Sequence, residues 1–155
     1  MKAVIMAGGE GTRLRPISIL KPKPMVKLMD KPVAEYIVRL LKKYGVTDIC
    51  MTLRYLPQVV KDYFGDGTDF GVNIEYQVEK EPLGTAGGVR ACRNFIGGDD
   101  FIVISGDAVC DFDLEKCFEF HRKKNSKVTI ILCQRDEPLE YGLVLTDNSD
   151  CVTQF

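Results

Sequence analysis

The chain has 155 residues, 45% of them hydrophobic and 28% charged, with 21 Lys and Arg against 22 Asp and Glu. A chain of that length buries roughly 70% of its unfolded surface, and an apolar content this high with a net charge of −1 excludes disorder as its main state. Charge so nearly balanced also argues against a dedicated nucleic-acid binder, which carries a basic excess.

Six cysteines stand at Cys50, Cys92, Cys110, Cys117, Cys133 and Cys151. They are scattered, with no C-x-x-C pair, so neither a disulfide framework nor a cysteine metal site is expected. The apolar run after Lys2 extends only from Ala3 to Ala7, too short for a secretory signal. No stretch approaches the ~20 apolar residues of a membrane span. The expectation is a reduced, cytoplasmic protein without membrane partners, most of its thiols being small buried hydrophobes.

In chain order, Lys2 to Ala7 is a short continuous apolar run, the pattern of a strand buried on both faces of a parallel sheet. It enters Gly8-Gly9-Glu10-Gly11, where the backbone must turn or approach something closely. Pro16, Pro22 and Pro24, with Lys21 and Lys23, predict a loop with neither helix nor strand. A helix is predicted from Pro32 to a stop at Gly45, with Val33, Tyr36, Ile37, Leu40, Leu41 and Tyr44 as its apolar stripe. A strand follows at Thr47 to Leu53, a short helix from Pro57 to Gly65 and an alternating strand at Val72 to Val78. Gly84 to Gly88 reads as a glycine-rich turn leading into a helix that ends near Phe95. Phe101 to Ser105 is a second all-apolar strand, ended by Gly106-Asp107. Leu114 to Lys124 predicts a helix and Val128 to Gln134 a strand. Tyr141 to Leu145 and Cys151 to Phe155 predict a pair around the turn Asp147 to Asp150. This alternation predicts an α/β, Rossmann-like fold with a mostly parallel sheet and helices on both faces. The series stops in or just after a strand signal, so residues 1–155 are expected to form one domain truncated at its C-terminus.

Ligands of open parallel sheets collect beyond the carboxyl ends of the strands. Two loops there follow fully buried strands, Gly8 to Arg15 and Gly106-Asp107, and both are expected to open on one edge. The first combines glycines with Thr12, Arg13 and Arg15, groups suited to a polyphosphate. A tight turn with solvated cations fits the same composition. It is not a Walker A loop, and Leu14 stands at the third glycine position of a dinucleotide fingerprint. Asp107 can hold Mg²⁺, although an aspartate there is by itself more often a turn residue. Asp111 is a nearby alternative, and Asp113, immediately before Leu114, is the better helix cap. In Glu79 to Gly88, glycines would let a nucleobase lie flat and Glu79 could read its edge; equally, Thr85 could cap the next helix. His121, the only histidine, reads as a surface or packing residue.

At these residues the sequence resembles the sugar-1-phosphate nucleotidyltransferases, also called nucleotide-sugar pyrophosphorylases. Gly8 to Pro16, then Pro22-Lys23-Pro24-Met25, then Lys31-Pro32 are similar to the family signature in order and spacing. Leu83-Gly84-Thr85-Ala86-Gly87 resembles its base-and-sugar loop, Gly106-Asp107 with Asp111 to Leu114 its metal segment, and Tyr141-Gly142 a sugar-pocket pair. The resemblance implies that Ala7, Gly8, Gly9, Glu10, Gly11 and Thr12 hold the nucleotide phosphates with Arg13. It implies that Lys23 acts near the reacting centre, that Glu79, Gly84 and Thr85 face the base, that Asp107 binds Mg²⁺, and that Tyr141 and Gly142 line the sugar site. Relatives run longer, into a Glu-Lys-Pro motif and a second metal-binding aspartate that these residues do not include.

The implied reaction is attack of a sugar 1-phosphate oxygen on the α-phosphorus of a nucleoside triphosphate, with expulsion of pyrophosphate. The resemblance is nearest to mannose-1-phosphate guanylyltransferases; thymidylyl-, cytidylyl- and uridylyltransferases of glucose 1-phosphate stay open, as does a regulatory homologue that binds nucleotide without turnover. Self-association through an exposed sheet edge is a further expectation.

Overall fold

The computed structural model describes residues 1–134, 136 and 142–155. The chain divides into two compact units, Met1–Phe112 and Asp113–Phe155.

The first unit is built on a four-stranded parallel sheet of β1 (Lys2–Met6), β4 (Asp48–Leu53), β5 (Asn73–Val78) and β6 (Phe101–Ser105). Their spatial order is β5-β4-β1-β6. Between β1 and β4 lie a two-residue antiparallel pair, β2 (Lys27–Leu28) with β3 (Lys31–Pro32), and helix α1 (Val33–Lys43). Helix α2 (Pro57–Phe64) joins β4 to β5; α3 (Gly84–Ala91) and α4 (Arg93–Ile96) join β5 to β6.

The connections from β1 to β4 and β4 to β5 step one way across the sheet, and the return to β6 steps the other way. Right-handed crossovers therefore put α1 and α2 on one face and α3 and α4 on the other. The side chains agree. Val4 and Cys50, adjacent in register, pack with Cys92 and Ile96 beneath α3 and α4. Ala3, Ile5, Ile49 and Met51 alternate to the opposite face and are fully buried. A strand buried on both sides has no polar face, which is why Ala3 to Met6 carries no alternation. The α/β, mostly parallel expectation is met.

Three local expectations are corrected. Gly84 to Gly88 is the start of α3 rather than a turn; Gly84 takes a positive φ of 69°, and only then does the helix run. The proline-rich segment is not a plain loop: it holds tight helical turns at Thr12–Leu14 and Lys23–Met25, and Pro32 closes a strand pair before capping α1. Val128 to Gln134 forms no strand, because its backbone joins no ladder and Val128, Ile130, Ile131 and Leu132 stay exposed. In α1 the buried face is Ala34, Glu35, Ile37, Val38, Leu40 and Leu41, while the Tyr36 hydroxyl donates outward to the carbonyl of Leu28. Of the six thiols only Cys50 and Cys92 are buried; Cys133 and Cys151 are exposed.

In the second unit α5 (Leu114–Lys124) starts at Asp113, whose carboxylate accepts from the amide of Lys116 as the cap reading expects. His121 Nδ1 lies 2.8 Å from Thr129 Oγ1. The hairpin of β7 (Leu145–Thr146) and β8 (Val152–Gln154) is tied to the end of α5 by Lys124, which reaches Asp150 at 2.8 Å. Among the described residues no helix is long and apolar enough to cross a membrane.

Candidate active site

The strand order fixes where a cleft can form. β1 and β6 are parallel neighbours, so the loops that follow them stand side by side beyond their carboxyl ends, at the crevice where ligands of open parallel sheets bind. Met6 pairs with Ser105, so both loops begin at one level and open on the same edge. The Gly106 amide donates to the Met6 carbonyl at 2.8 Å. A side chain at Gly106 would start 3.0 Å from that oxygen and 3.1 Å from Ala7 Cβ, so only glycine lets the two strand ends approach this closely.

Asp107 then projects into the crevice. One carboxylate oxygen accepts from the Ser105 hydroxyl at 2.5 Å and the other pairs with the Lys23 ammonium at 2.5 Å. Burial pushes this carboxyl upward, but the hydrogen bonds from Lys23 and Ser105 and the lysine charge outweigh it, leaving it below its ordinary value. Lys23 is delivered by the turn Lys23–Met25, which is anchored by the buried side chains of Pro24 and Met25.

Opposite lies the loop after β1. Gly11 has a φ of 62°, the left-handed conformation that starts the turn Thr12–Leu14. Its carbonyl accepts from the Leu14 amide at 2.9 Å and from the Ser18 hydroxyl at 2.7 Å. Ser18 is fully buried, so this bond pins the loop from beneath. The Tyr55 hydroxyl donates to the Ile19 carbonyl at 2.7 Å, tying the following segment to the end of β4.

The crevice has two lobes, of about 330 and 390 Å³, sharing Gly9, Lys23 and Asp107. Of the residues singled out from sequence, Ala7, Gly8, Glu79, Gly84 and Thr85 line the first lobe, and Gly11, Thr12 and Arg13 the second. The Glu79 carboxylate lies over Gly88, where an added Cβ would come within 2.7 Å of Oε1, and beside Gly8 at 3.7 Å. Thr85 makes no capping bond at the start of α3. Glu10 lines neither lobe and pairs with Arg54 at 3.1 Å. Gly142 is exposed and belongs to the second unit; Tyr141 lies outside the described residues.

Arg54, Thr52 and Ser105 also line the first lobe and were not singled out. The signal for Arg54 was present: it follows the buried strand β4, and the strand-end rule applied to β1 and β6 applies there too. Ser18 carried no comparable signal, since nothing in its neighbours marks a serine as buried.

The site therefore juxtaposes a pinned glycine loop, a lysine and a carboxylate at the point where the sheet changes direction. Among the described residues no three His, Cys, Asp or Glu side chains converge. A single carboxylate suits a hard cation that keeps water and phosphate oxygens as its other ligands, not a closed protein cage.

The nucleotidyl transferase family model matches residues 2–155, and the chain belongs to that family. It is 38% identical to a mannose-1-phosphate guanyltransferase of Gibberella zeae, over 94% of this chain and 41% of that protein. It is 38% identical to a UTP–glucose-1-phosphate uridylyltransferase of Synechocystis, over all of this chain and 43% of that protein. The crystal structure of HddC from Yersinia pseudotuberculosis complexed with GMP-PN superposes with a TM-score of 0.86 at 32% identity, over 98% of this chain and 67% of that one. The chain thus spans about two fifths of the length of the curated relatives.

Proposed function

We propose that this chain carries the nucleotide site of an enzyme that transfers a nucleotidyl group from a nucleoside triphosphate to a sugar 1-phosphate, releasing pyrophosphate. GTP and mannose 1-phosphate are the proposed pair, in line with the activity named for the guanyltransferase relative. The observation that carries the proposal is the meeting of Lys23 and Asp107 with the Gly8–Arg13 loop across both lobes.

The nucleoside lies in the first lobe and the triphosphate in the second. Backbone amides of Gly8 to Thr12 receive phosphate oxygens, and Arg13 spreads its guanidinium over the charge that grows on the leaving pyrophosphate. Lys23 exchanges its bond to Asp107 for one to phosphate, bringing a cation to the α-phosphorus without a new desolvation cost. Asp107 is then free to hold Mg²⁺, which when bound supplies further neutralisation of the phosphate oxygens. No covalent intermediate is required; position and electrostatics suffice. Gly142 and Tyr141 belong to the proposed sugar pocket. The cytoplasm supplies both substrates and keeps the thiols reduced. Exposed Phe101 and Val103 on β6 support self-association, for which sedimentation velocity over a range of concentrations is the check.

The test is pyrophosphate release from the protein supplied with Mg²⁺ and either GTP with mannose 1-phosphate or UTP with glucose 1-phosphate. Turnover with the first pair supports the proposal, and turnover with the second reassigns the substrates. Nucleotide binding with no release makes the chain a binding module.

A further inference from the structure

Arg54 has no part in the phosphate chemistry above, yet it stands in the wall of the first lobe. It does not line the second lobe, which holds Arg13 and Lys23. Arg54 is therefore a wall residue of the first lobe alone. One Nη is held by Glu10 at 3.1 Å, and the side chain is only about a quarter exposed. Glu10 explains this placement. A carboxylate within the glycine loop would repel phosphate, and the pair with Arg54 neutralises it. The guanidinium has five N–H donors in a rigid fork, so pairing with Glu10 leaves donors for a ligand.

Across Gly8 from Arg54 is Glu79. A Cβ at Gly8 would lie 3.6 Å from Arg54 Cβ and 3.7 Å from Glu79 Oε2, so the two side chains flank the same patch of bare backbone. No ion pair joins them among the described residues, and the Glu79 carboxylate has no hydrogen-bonding partner there. The lobe thus offers a flat glycine floor with a donor fork on one side and an acceptor pair on the other.

Base edges differ in how well they answer that arrangement. Guanine presents two donors, N1–H and N2–H₂, and beyond them two acceptors, O6 and N7. Adenine has one donor group between two acceptors. Uracil and thymine have a single N–H between two carbonyls, and cytosine an amino group next to an acceptor. Each of these can offer one donor and one acceptor, but only guanine meets both partners with two groups each, adjacent donors for the carboxylate and adjacent acceptors for the guanidinium fork. Resting on the nucleotide-site reading of the previous section, we propose that Arg54, held in place by Glu10, is a base-selecting residue that donates to O6 and N7 of guanine, while Glu79 accepts from N1–H and N2–H₂.

Two analogues test this without altering the protein. 7-Deaza-GTP lacks the N7 acceptor and ITP lacks the N2 amino group. Calorimetric titration of the chain with GTP, 7-deaza-GTP, ITP, ATP and UTP is expected to give GTP the tightest binding, with each analogue weaker by about 10-fold, the scale of one good base contact. In Arg54→Met the ratio of GTP to 7-deaza-GTP affinity is expected to fall to about one while the ratio of GTP to ITP persists. Equal binding of GTP and 7-deaza-GTP by the unaltered chain overturns the role of Arg54 and leaves the nucleotide site standing. A preserved GTP to 7-deaza-GTP ratio in Arg54→Met overturns it equally. Failure of a folded chain to bind any triphosphate removes the nucleotide-site reading and this inference with it.

Discussion

Two glycines show how differently the same substitution acts in one cleft. At Gly11 the φ of 62° disfavours any L side chain, and a Cβ would sit 3.0 Å from Lys23 Cβ. Gly11→Ala is expected to cost about 1–2 kcal/mol in a denaturant melt and to displace Lys23. Gly88 has ordinary helical geometry, and its Cβ would press on the movable end of Glu79 at 2.7 Å while meeting Thr52 Cγ2 at an ordinary 3.8 Å. Gly88→Ala is expected to leave stability unchanged or raise it by up to about 1 kcal/mol, while weakening nucleotide binding in a titration. Asp107 adds a pH signature. Its folded carboxyl lies below the ordinary value of 3.8, so its contribution to stability is present above that value and is lost as pH falls through the lower one. Asp107→Asn is therefore expected to have a shallower acid limb in a pH series of melts. Under the proposed function, Arg13→Ala is expected to lower pyrophosphate release about 10²-fold, the scale for one positioned donor, with an unchanged melting curve.

Between elements, the packing of α1 against α2 hides a charge. Glu35 of α1 is buried and accepts from Arg39 at 2.6 Å and from the Tyr63 hydroxyl of α2 at 2.5 Å. Burial first, and then the bond to Glu35, pushes the Tyr63 phenol up to about 12. The proton is held more tightly in the folded state, so this contribution is complete below the ordinary value of 10.0 and fades as pH rises towards 12. Alkaline spectrophotometric titration is expected to show late phenolates for Tyr63 and for Tyr76, whose burial also raises it to about 12, and Tyr63→Phe is expected to remove one of the two, with a loss of about 1.5–3 kcal/mol for a bond to a charged group. Sequence reasoning found α1 from its apolar stripe but left Glu35 outside it, because periodicity counts apolar residues and a paired buried carboxylate is not one. It missed the start of α3 for a related reason. Glycine scores as a turn residue, whereas here it keeps the helix surface bare beneath Glu79. Val128 to Gln134 failed from the other side, since β-propensity describes a willing segment and a strand also needs a neighbour to bond.

At the scale of the molecule, the site was legible because two apolar runs, each broken by glycine, marked β1 and β6 as strands whose ends open together, although only β1 is buried on both faces and β6 is an edge strand of the described sheet with Phe101 and Val103 exposed. The third wall of the crevice, contributed by Thr52 and Arg54 at the end of β4, was open to the same rule but was not drawn from it; the buried anchor Ser18 had no sequence signal at all. The same strand order governs how the protein is made. β1 is the earliest strand in the chain, yet its partners begin at Asp48 on one side and at Phe101 on the other. It is synthesised early and enclosed late. Until Ser105 has left the ribosome, Ala3 to Met6 remains an apolar ribbon with a free edge, open to a chaperone or to a like strand from a neighbouring nascent chain. Stalled nascent chains of increasing length are expected to acquire protease protection at β1 only after β6 has emerged, which makes late enclosure of the central strand the period in which this protein is most exposed to misassembly.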